Sequence, residues 1–225
     1  MENFRPEAVP NPAVRRLSLY LRQLEAFKRQ DQRTISSKQL GESLALTDAQ
    51  VRKDLAYFGQ FGHPGIGYRV DDLIARVKHI LGTDKIWNVL LVGAGNLGLA
   101  LMAYKGFENQ GFRIVAVFDS DPGKVNTGRG VFVIQPLSEL QPTIQKLGIR
   151  LGIIAVPADS AQAVADQLVA TGIQGIFNFA PVSLSVPSHV GVSAVDLAVQ
   201  LEQLSFLVNI HTTAQQQVPA RDAST

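Results

Sequence analysis

The sequence predicts an α/β protein in two parts, a small basic helical part followed by a larger parallel sheet. Three observations predict it. Two helix-start signals stand close together near the N-terminus, at Ser36 and Thr47. A short apolar run, Asn88–Val92, passes straight into glycines at G-x-G-x-x-G spacing. Beyond it, apolar β-branched runs alternate with helical patterns as far as residue 195, the signature of a parallel sheet covered on both faces.

Composition narrows the chemistry first. The chain has 225 residues, 46% of them hydrophobic, enough for a substantial core or two small ones. It contains no cysteine, which excludes disulfides, thiolate metal sites and cysteine nucleophiles, so any redox role belongs to a bound molecule. Net charge is only +2 but unevenly spread: residues 12–69 carry ten basic against five acidic side chains, and residues 85–225 carry eight against nine. The excess lies where a nucleic-acid footprint would need it. The N-terminus, MENFRPEAVPNP, lacks the apolar core of a signal peptide. The uncharged run from Gln167 to Val195 is broken by Gly172, Gly175, Asn178, Pro181 and Pro187, so it reads as sheet and loops rather than a membrane helix. The expectation is a cytoplasmic protein that uses neither a membrane nor a metal.

Taken in order, residues 1–11 read as a flexible arm. Pro12 suits a first helical position, and Val14, Leu17, Leu21 and Leu24 form a helical stripe to about Arg29. Ser36-x-x-Gln39 and Thr47-x-x-Gln50 are both capping boxes, and they bracket a helix near Ser37–Leu44 and a second from Asp48 to about Phe58. That spacing is a helix-turn-helix. In the second helix Val51, Leu55 and Phe58 face inward, leaving Gln50, Arg52, Lys53 and Tyr57 to project. These types suit base edges and phosphates, and Ser36, Ser37, Lys38 and Thr47 stand beside them at the helix starts. GQFGHPGIGYRV, residues 59–70, reads as a β-hairpin wing with Arg69 beside it. A helical dimerisation module would explain the helices but neither the hairpin nor the basicity. Asp71 or Asp72 can cap a helix over Leu73–Leu81 that Gly82 closes, and a domain boundary falls at 83–87.

In the second part, Gly93 permits a tight turn, Gly95 lets a pyrophosphate approach the backbone, and Gly98 lets helix pack on strand. With Ala94, Asn96 and Leu97 they surround a helix N-terminus whose free N–H groups favour an anion. A second strand, Arg113–Phe118, ends in Asp119, 24 residues past Gly95 and close to the distance expected of the acid that meets the adenosine ribose. Its charge would repel a 2'-phosphate, favouring NAD(H) over NADP(H); the alternative is that Asp119 only caps the following loop, DSDPGK, with Asp121 as the competing carboxylate. Further strands fall at Val131–Ile134, Arg150–Val156, Ile176–Phe179 and Val190–Val195, with a helix from Asp159 or Ser160 to Gly172. Ligands bind at the carboxyl ends of such strands, which adds Val156, Pro157, Asn178, Phe179 and Ala180 to the pocket. Asp196–Ile210 is a last helix, apolar on more than one side, which reads as a dimer element; the alternative is a C-terminal helix that covers its own sheet. Residues 211–225 read as disordered.

The segments SSKQLGESLALTDAQVRKDLAYFGQFGHPGIGYRV, LLVGAGNLGLALMAY, FDSDPGKVN, IIAVP and GIFNFAPV together closely resemble the Rex family of bacterial redox-sensing transcriptional repressors, over nearly all of residues 12–210. The resemblance implies a winged helix-turn-helix domain (12–84), a Rossmann-like NAD(H)-binding domain (85–195) and a C-terminal helix (196–210) swapped between the subunits of a homodimer. It implies a double-stranded, palindromic DNA operator, released when NADH rises relative to NAD+. It also implies that Arg22, Tyr104 and Asp196 couple the two domains, while Leu197 stands where some relatives carry an aromatic residue. The rival is an NAD-dependent oxidoreductase with a small accessory domain. His189, the sole histidine from residue 85 to 210, sits in a loop without a carboxylate near it in sequence, a poor basis for hydride-transfer chemistry. A cofactor- or CoA-binding structural module would explain the sheet but not the winged domain.

Overall fold

The computed structural model describes residues 9–59, 61 and 67–216, side chains through residue 210, in two compact units that divide between Ile86 and Trp87.

The first unit opens with α1 (Asn11–Arg29). Its first turn carries proline, where a missing N–H costs nothing, and its last turn carries Lys28 and Arg29 at the negative end of the helix dipole. Ala13, Leu17, Tyr20, Leu21 and Leu24 are buried, so the inward stripe is wider than the sequence pattern; Val14, expected inside, stays 39% exposed. After β1 (Thr34–Ile35) come α2 (Ser37–Glu42) and α3 (Asp48–Ala56). Ser36 makes a complete capping box: its Oγ accepts the Gln39 N–H at 3.1 Å, and Gln39 Oε1 accepts the Ser36 N–H at 2.9 Å. Helix α2 nevertheless stops at Glu42, short of the expected Leu44. There the chain turns through Ala45 at φ 55°, and a Cβ on Gly41 would come within 2.7 Å of the Leu46 carbonyl oxygen. That close approach ties the two helices together.

The wing corrects one expectation. β2 (Tyr68–Arg69) pairs antiparallel with β1, Thr34 opposite Arg69 and Ile35 opposite Tyr68, and Val70 already begins α4 (Val70–Leu81) instead of extending a hairpin strand. Residues 60 and 62–66 of the predicted hairpin lie outside the described residues. Helix α4 therefore starts three residues before the expected Leu73, with Arg69 as N-cap, and Asp71 and Asp72 fall in the first turn, where the helix dipole favours them. Gly82 closes it in the left-handed conformation at φ 69°. Helices α1 and α4 with Ile35, Leu40, Val51 and Leu55 form one apolar core. Each fully buried leucine in it contributes roughly 1.5–3 kcal/mol relative to exposure.

The second unit is a seven-stranded sheet. Its strands are β3 (Trp87–Val92), β4 (Phe112–Asp119), β5 (Gly128–Arg129), β6 (Phe132–Pro136), β7 (Leu151–Ile154), β8 (Gly175–Asn178) and β9 (Gly191–Ala194), in the spatial order β5-β6-β4-β3-β7-β8-β9. Six of them run parallel; β5, absent from the sequence reading, pairs antiparallel with β6 at the edge. The third predicted strand shifts accordingly: Val131 is 92% exposed in the turn between β5 and β6. Along β3 the period of two decides the packing. Leu90 and Val92 face α7 (Leu140–Leu147) and α8 (Ala158–Ala170), while Val89 and Leu91 face α5 (Asn96–Ala103) and α6 (Gly106–Asn109). Strand order reverses at β3, so the crevice between the carboxyl ends of β3 and β7 is the topological switch point.

The last helix, α9, spans Leu197–Gln216, so six residues expected in the disordered tail are helical; residues 217–225 lie outside the description. Asp196 caps α9 instead of opening it, its Oδ1 accepting the Ala198 and Val199 N–H groups at 2.9 and 3.2 Å. Leu197, Leu201, Leu204, Phe206 and Leu207 are each at least half exposed.

Candidate nucleotide cleft and nucleic-acid surface

The turn after β3 gives each glycine a separate task. Gly93 has φ 103° and a Cβ there would lie 2.4 Å from the Ala155 carbonyl oxygen; on Gly98 it would lie 1.9 Å from the Gly93 carbonyl oxygen. Both are forced by crowding. Gly95 meets nothing within 4 Å, so its lack of a side chain leaves open space instead of filling a tight one. Gly95 is also the N-cap of α5, which has neither a side-chain cap nor an acid in its first turn. Its N-terminal N–H groups at Asn96, Leu97 and Gly98 are thus left for an anion.

Asp119, at the carboxyl end of β4, is 7% exposed. Its Oδ2 accepts the Ala94 N–H at 2.7 Å and the Lys124 ammonium at 3.2 Å, and its Oδ1 accepts the Asp121 N–H at 2.9 Å. Burial pushes the carboxyl up, but these bonds outweigh it and hold the group below the ordinary carboxylate range. The result is an ionised, oriented acid next to an uncapped helix start. It borders a cleft of about 320 Å³ lined also by Gly93, Gly95, Ala155, Val156, Pro157 and Ser160. An adjoining cleft of about 500 Å³ shares Asp119, Ser120 and Leu137 and runs out along Pro122, Val125, Asn126 and Pro136. Ala94 is buried beneath the turn, Asn96 and Leu97 are exposed on α5.

The wall predicted from β8 is different in kind. Asn178 is fully buried, and its carboxamide is committed to its own loop: Nδ2 donates to the Ala180 and Val182 carbonyls, and Oδ1 accepts the Ala180 N–H. Asn178 and Ala180 therefore shape the loop and offer no side chain outward. Phe179 packs its ring edge-on to Phe177 at 4.5 Å. Lys124, Ser120, Leu137 and Ser160 were missed by sequence reasoning. Lys124 sits five residues past Asp119 in DSDPGK, a spacing that a turn brings back on itself, and this was the available signal.

On the first unit, Ser37 and Arg52 meet: Arg52 donates to Ser37 Oγ at 3.3 Å and pairs with Asp48 at 2.6 Å. The Arg52 hydrogen bond holds Asp48 below its ordinary range. Lys38 pairs loosely with Glu42 at 3.9 Å and Arg69 with Asp72 at 3.4 Å, all exposed. Lys53 is exposed with no ion pair among the described residues, and Tyr57 is 37% exposed. The Thr47 box is only half formed. Its Oγ1 accepts the Gln50 N–H at 3.1 Å, but the Gln50 carboxamide, expected to project, donates at 2.8 Å to Asp54. Asp54 is the residue the sequence reading overlooked. It is fully buried on α3, takes both Arg16 Nε and a terminal Arg16 nitrogen at 2.5 and 2.7 Å, and accepts the Tyr20 hydroxyl at 2.7 Å. Burial raises its carboxyl, yet Arg16, Tyr20 and Gln50 hold it low; the same pairing raises Arg16, and burial with the Asp54 bond raises Tyr20. Arg16 and Tyr20 stand at i and i+4 of α1, which was the readable hint.

Of the three residues implied to couple the domains, Arg22 is exposed on α1, Tyr104 is 58% exposed after α5, and Asp196 caps α9. Gly106 lies under the Tyr104 ring, where a Cβ would come within 2.3 Å of its Cζ.

Comparison with known proteins agrees with both halves. Residues 8–56 match the model for a putative DNA-binding protein N-terminus, and residues 84–182 match that for a CoA-binding domain. The redox-sensing transcriptional repressor Rex of Pelotomaculum thermopropionicum is 50% identical over 198 residues, covering 88% of this chain and 93% of the relative. Rex of Carboxydothermus hydrogenoformans is 47% identical, over 88% and 95%. Among solved structures, RSP in complex with β-NAD+ and operator DNA superimposes with a TM-score of 0.87 at 36% identity, over 92% of this chain and 96% of that one. RSP in complex with β-NADH gives 0.83 at 35%, over 93% and 98%.

Proposed function

The chain belongs to the Rex family of redox-sensing transcriptional repressors, and from that premise we propose that it represses transcription from a palindromic operator and lets go when NADH occupies the cleft beside Asp119. Residues 12–84 read DNA, residues 85–195 bind NADH or NAD+, and α9 joins two copies. The observation that carries this reading is Asp119: a buried acid held ionised, facing open space next to the uncapped start of α5. It fits the adenosine ribose, with the pyrophosphate on the α5 N–H groups and the ring end toward Val156, Pro157 and Phe179. The dehydrogenase alternative gives way to family membership: the chain is a regulator and turns nothing over.

Arg52, Lys53 and Arg69 neutralise phosphates, with Ser36, Ser37, Lys38, Thr47 and Tyr57 beside them. Gln50 takes part with the half of its carboxamide that Asp54 leaves over. The apolar surface of α9 fits a second copy, and two-fold symmetry then fixes the spacing between two reading helices. NADH acts only through higher affinity for the dimer that cannot straddle the operator. The oxidised ring is cationic and loses more on entering an apolar pocket, which favours the reduced form. Arg22, Tyr104 and Asp196 carry the change between units. As a repressor of transcription the protein acts in the cytoplasm. Among the described residues no helix is long and apolar enough to cross a membrane. The test is a gel shift of operator DNA titrated with NADH, NAD+ and NADPH: NADH releases the DNA at the lowest concentration. Release by none of the three would overturn the reading.

A further inference from the structure

This inference rests on the reading of Asp119 as the acid of the adenosine ribose, and concerns how the cleft tells NAD(H) from NADP(H). The loop that follows β4 folds back on itself. The Gly123 N–H donates to Asp121 Oδ1 at 2.8 Å, the Lys124 and Val125 N–H groups donate to the Asp121 carbonyl at 2.9 and 3.0 Å, and the Thr127 hydroxyl donates to the Lys124 carbonyl at 2.5 Å. The backbone of Lys124 is thereby fixed. Its ammonium lies 3.2 Å from Asp119 Oδ2 and 3.7 Å from Asp121 Oδ2, and its side chain, 35% exposed, lines the same cleft as Gly95 and Pro157. A solvated surface lysine would have no such placement.

Two carboxylates thus surround one ammonium, leaving the lip of the cleft with an excess of negative charge. A 2'-phosphate brings about −1.5 to −2 charges of its own and is repelled there. Ribose hydroxyls, which donate to Asp119, are not. An ammonium stripped of those carboxylates is a phosphate ligand. We propose that Lys124 is a 2'-phosphate-binding cation that Asp119 and Asp121 keep neutralised, so that the preference for NAD(H) is set by the three side chains together. Asp119 then excludes NADP(H) twice, by direct repulsion and by holding the cation that would bind the phosphate.

Direct titration of full-length protein with NADH and NADPH, read by nicotinamide fluorescence, tests this in four variants: Asp119→Ser, Asp121→Asn, and each combined with Lys124→Met. Asp119→Ser should weaken NADH by at least about tenfold and raise the NADPH-to-NADH affinity ratio by about a hundredfold; adding Lys124→Met should take back about tenfold of that ratio. Asp121→Asn retains the Oδ1 acceptor for Gly123 and leaves Asp119 in place, and should raise the ratio a few-fold, again only while Lys124 is present. Melting curves establish that each variant folds. Should Asp119→Ser not fold, the Asp121→Asn pair decides alone. A ratio indifferent to Lys124 in both backgrounds overturns the inference. NADH affinity unchanged in a folded Asp119→Ser overturns the ribose reading itself.

Discussion

The two units each bury an aspartate, and the two are put to opposite use. Asp54 is fully enclosed and saturated by Arg16, Tyr20 and Gln50, so its charge is spent inside the protein, pinning α3 to α1. Asp119 is nearly as buried and is likewise held below the ordinary carboxylate range, but its partners approach from the turn, the loop and Lys124 while a cleft stays open before it. Burial of a charge therefore does not mark a binding site; what the charge faces does. One acid is a structural tie; the other is the group we propose as a binding surface.

The largest effects separate these roles. Asp54→Ala leaves the Arg16 guanidinium without its partner and should cost about 3 kcal/mol, the scale of a broken buried pair, discounted because Arg16 is one-quarter exposed. The loss appears as exchange of α1 and α3 amides, while NADH affinity stays within about twofold. The sole tryptophan, Trp87, lies in the sheet unit, so its fluorescence should melt as in the parent. Acid sharpens the point. The folded-state pKa of Asp54 is depressed below the unfolded value of about 3.9, so its contribution is present above that pH and lost as pH falls through the folded pKa. Asp54→Asn should flatten that acid limb in the first unit. Asp119→Ala comes next: NADH binding weakens about tenfold to a hundredfold, while operator affinity without cofactor is unchanged. Equal damage to both functions from either substitution would erase the contrast.

Smaller effects test the surface. Arg52→Ala with Lys53→Ala should weaken operator binding and reduce the salt slope by about 4, two phosphate contacts in each of two subunits, with NADH titration unaffected; an unchanged slope would place those side chains away from phosphates. Ala45→Gly is the smallest. Ala45 holds φ 55°, a conformation costly for any residue with a Cβ, so glycine should stabilise the first unit by up to about 1 kcal/mol in chemical denaturation.

What the sequence revealed follows the same division. The glycine turn, the β4 acid and the Ser36 cap depend on local chemistry and are readable at fixed spacing. Lys124 and Asp54 act through contacts that spacing only hints at, the first across a loop and the second across 38 residues to Arg16. The pairing of β2 with β1 went unforeseen, because a two-residue strand has no periodicity to read. Asn178 was placed correctly at a strand end, but its direction is set by the loop it satisfies, and no sequence pattern reports that. The extent of α9 was underestimated because its final turns, rich in glutamine and threonine, carry no apolar stripe.

In the function we propose, filling the cleft beside Asp119 with NADH ends the hold on DNA. Anisotropy of labelled operator bound to full-length protein, titrated with NADH in the parent and in Asp119→Ala, measures it directly. Equal operator affinity is expected at zero NADH, with release in the parent and a midpoint about tenfold or more higher in the variant. Operator held equally well at saturating NADH and without it, or identical midpoints in both proteins, would contradict it.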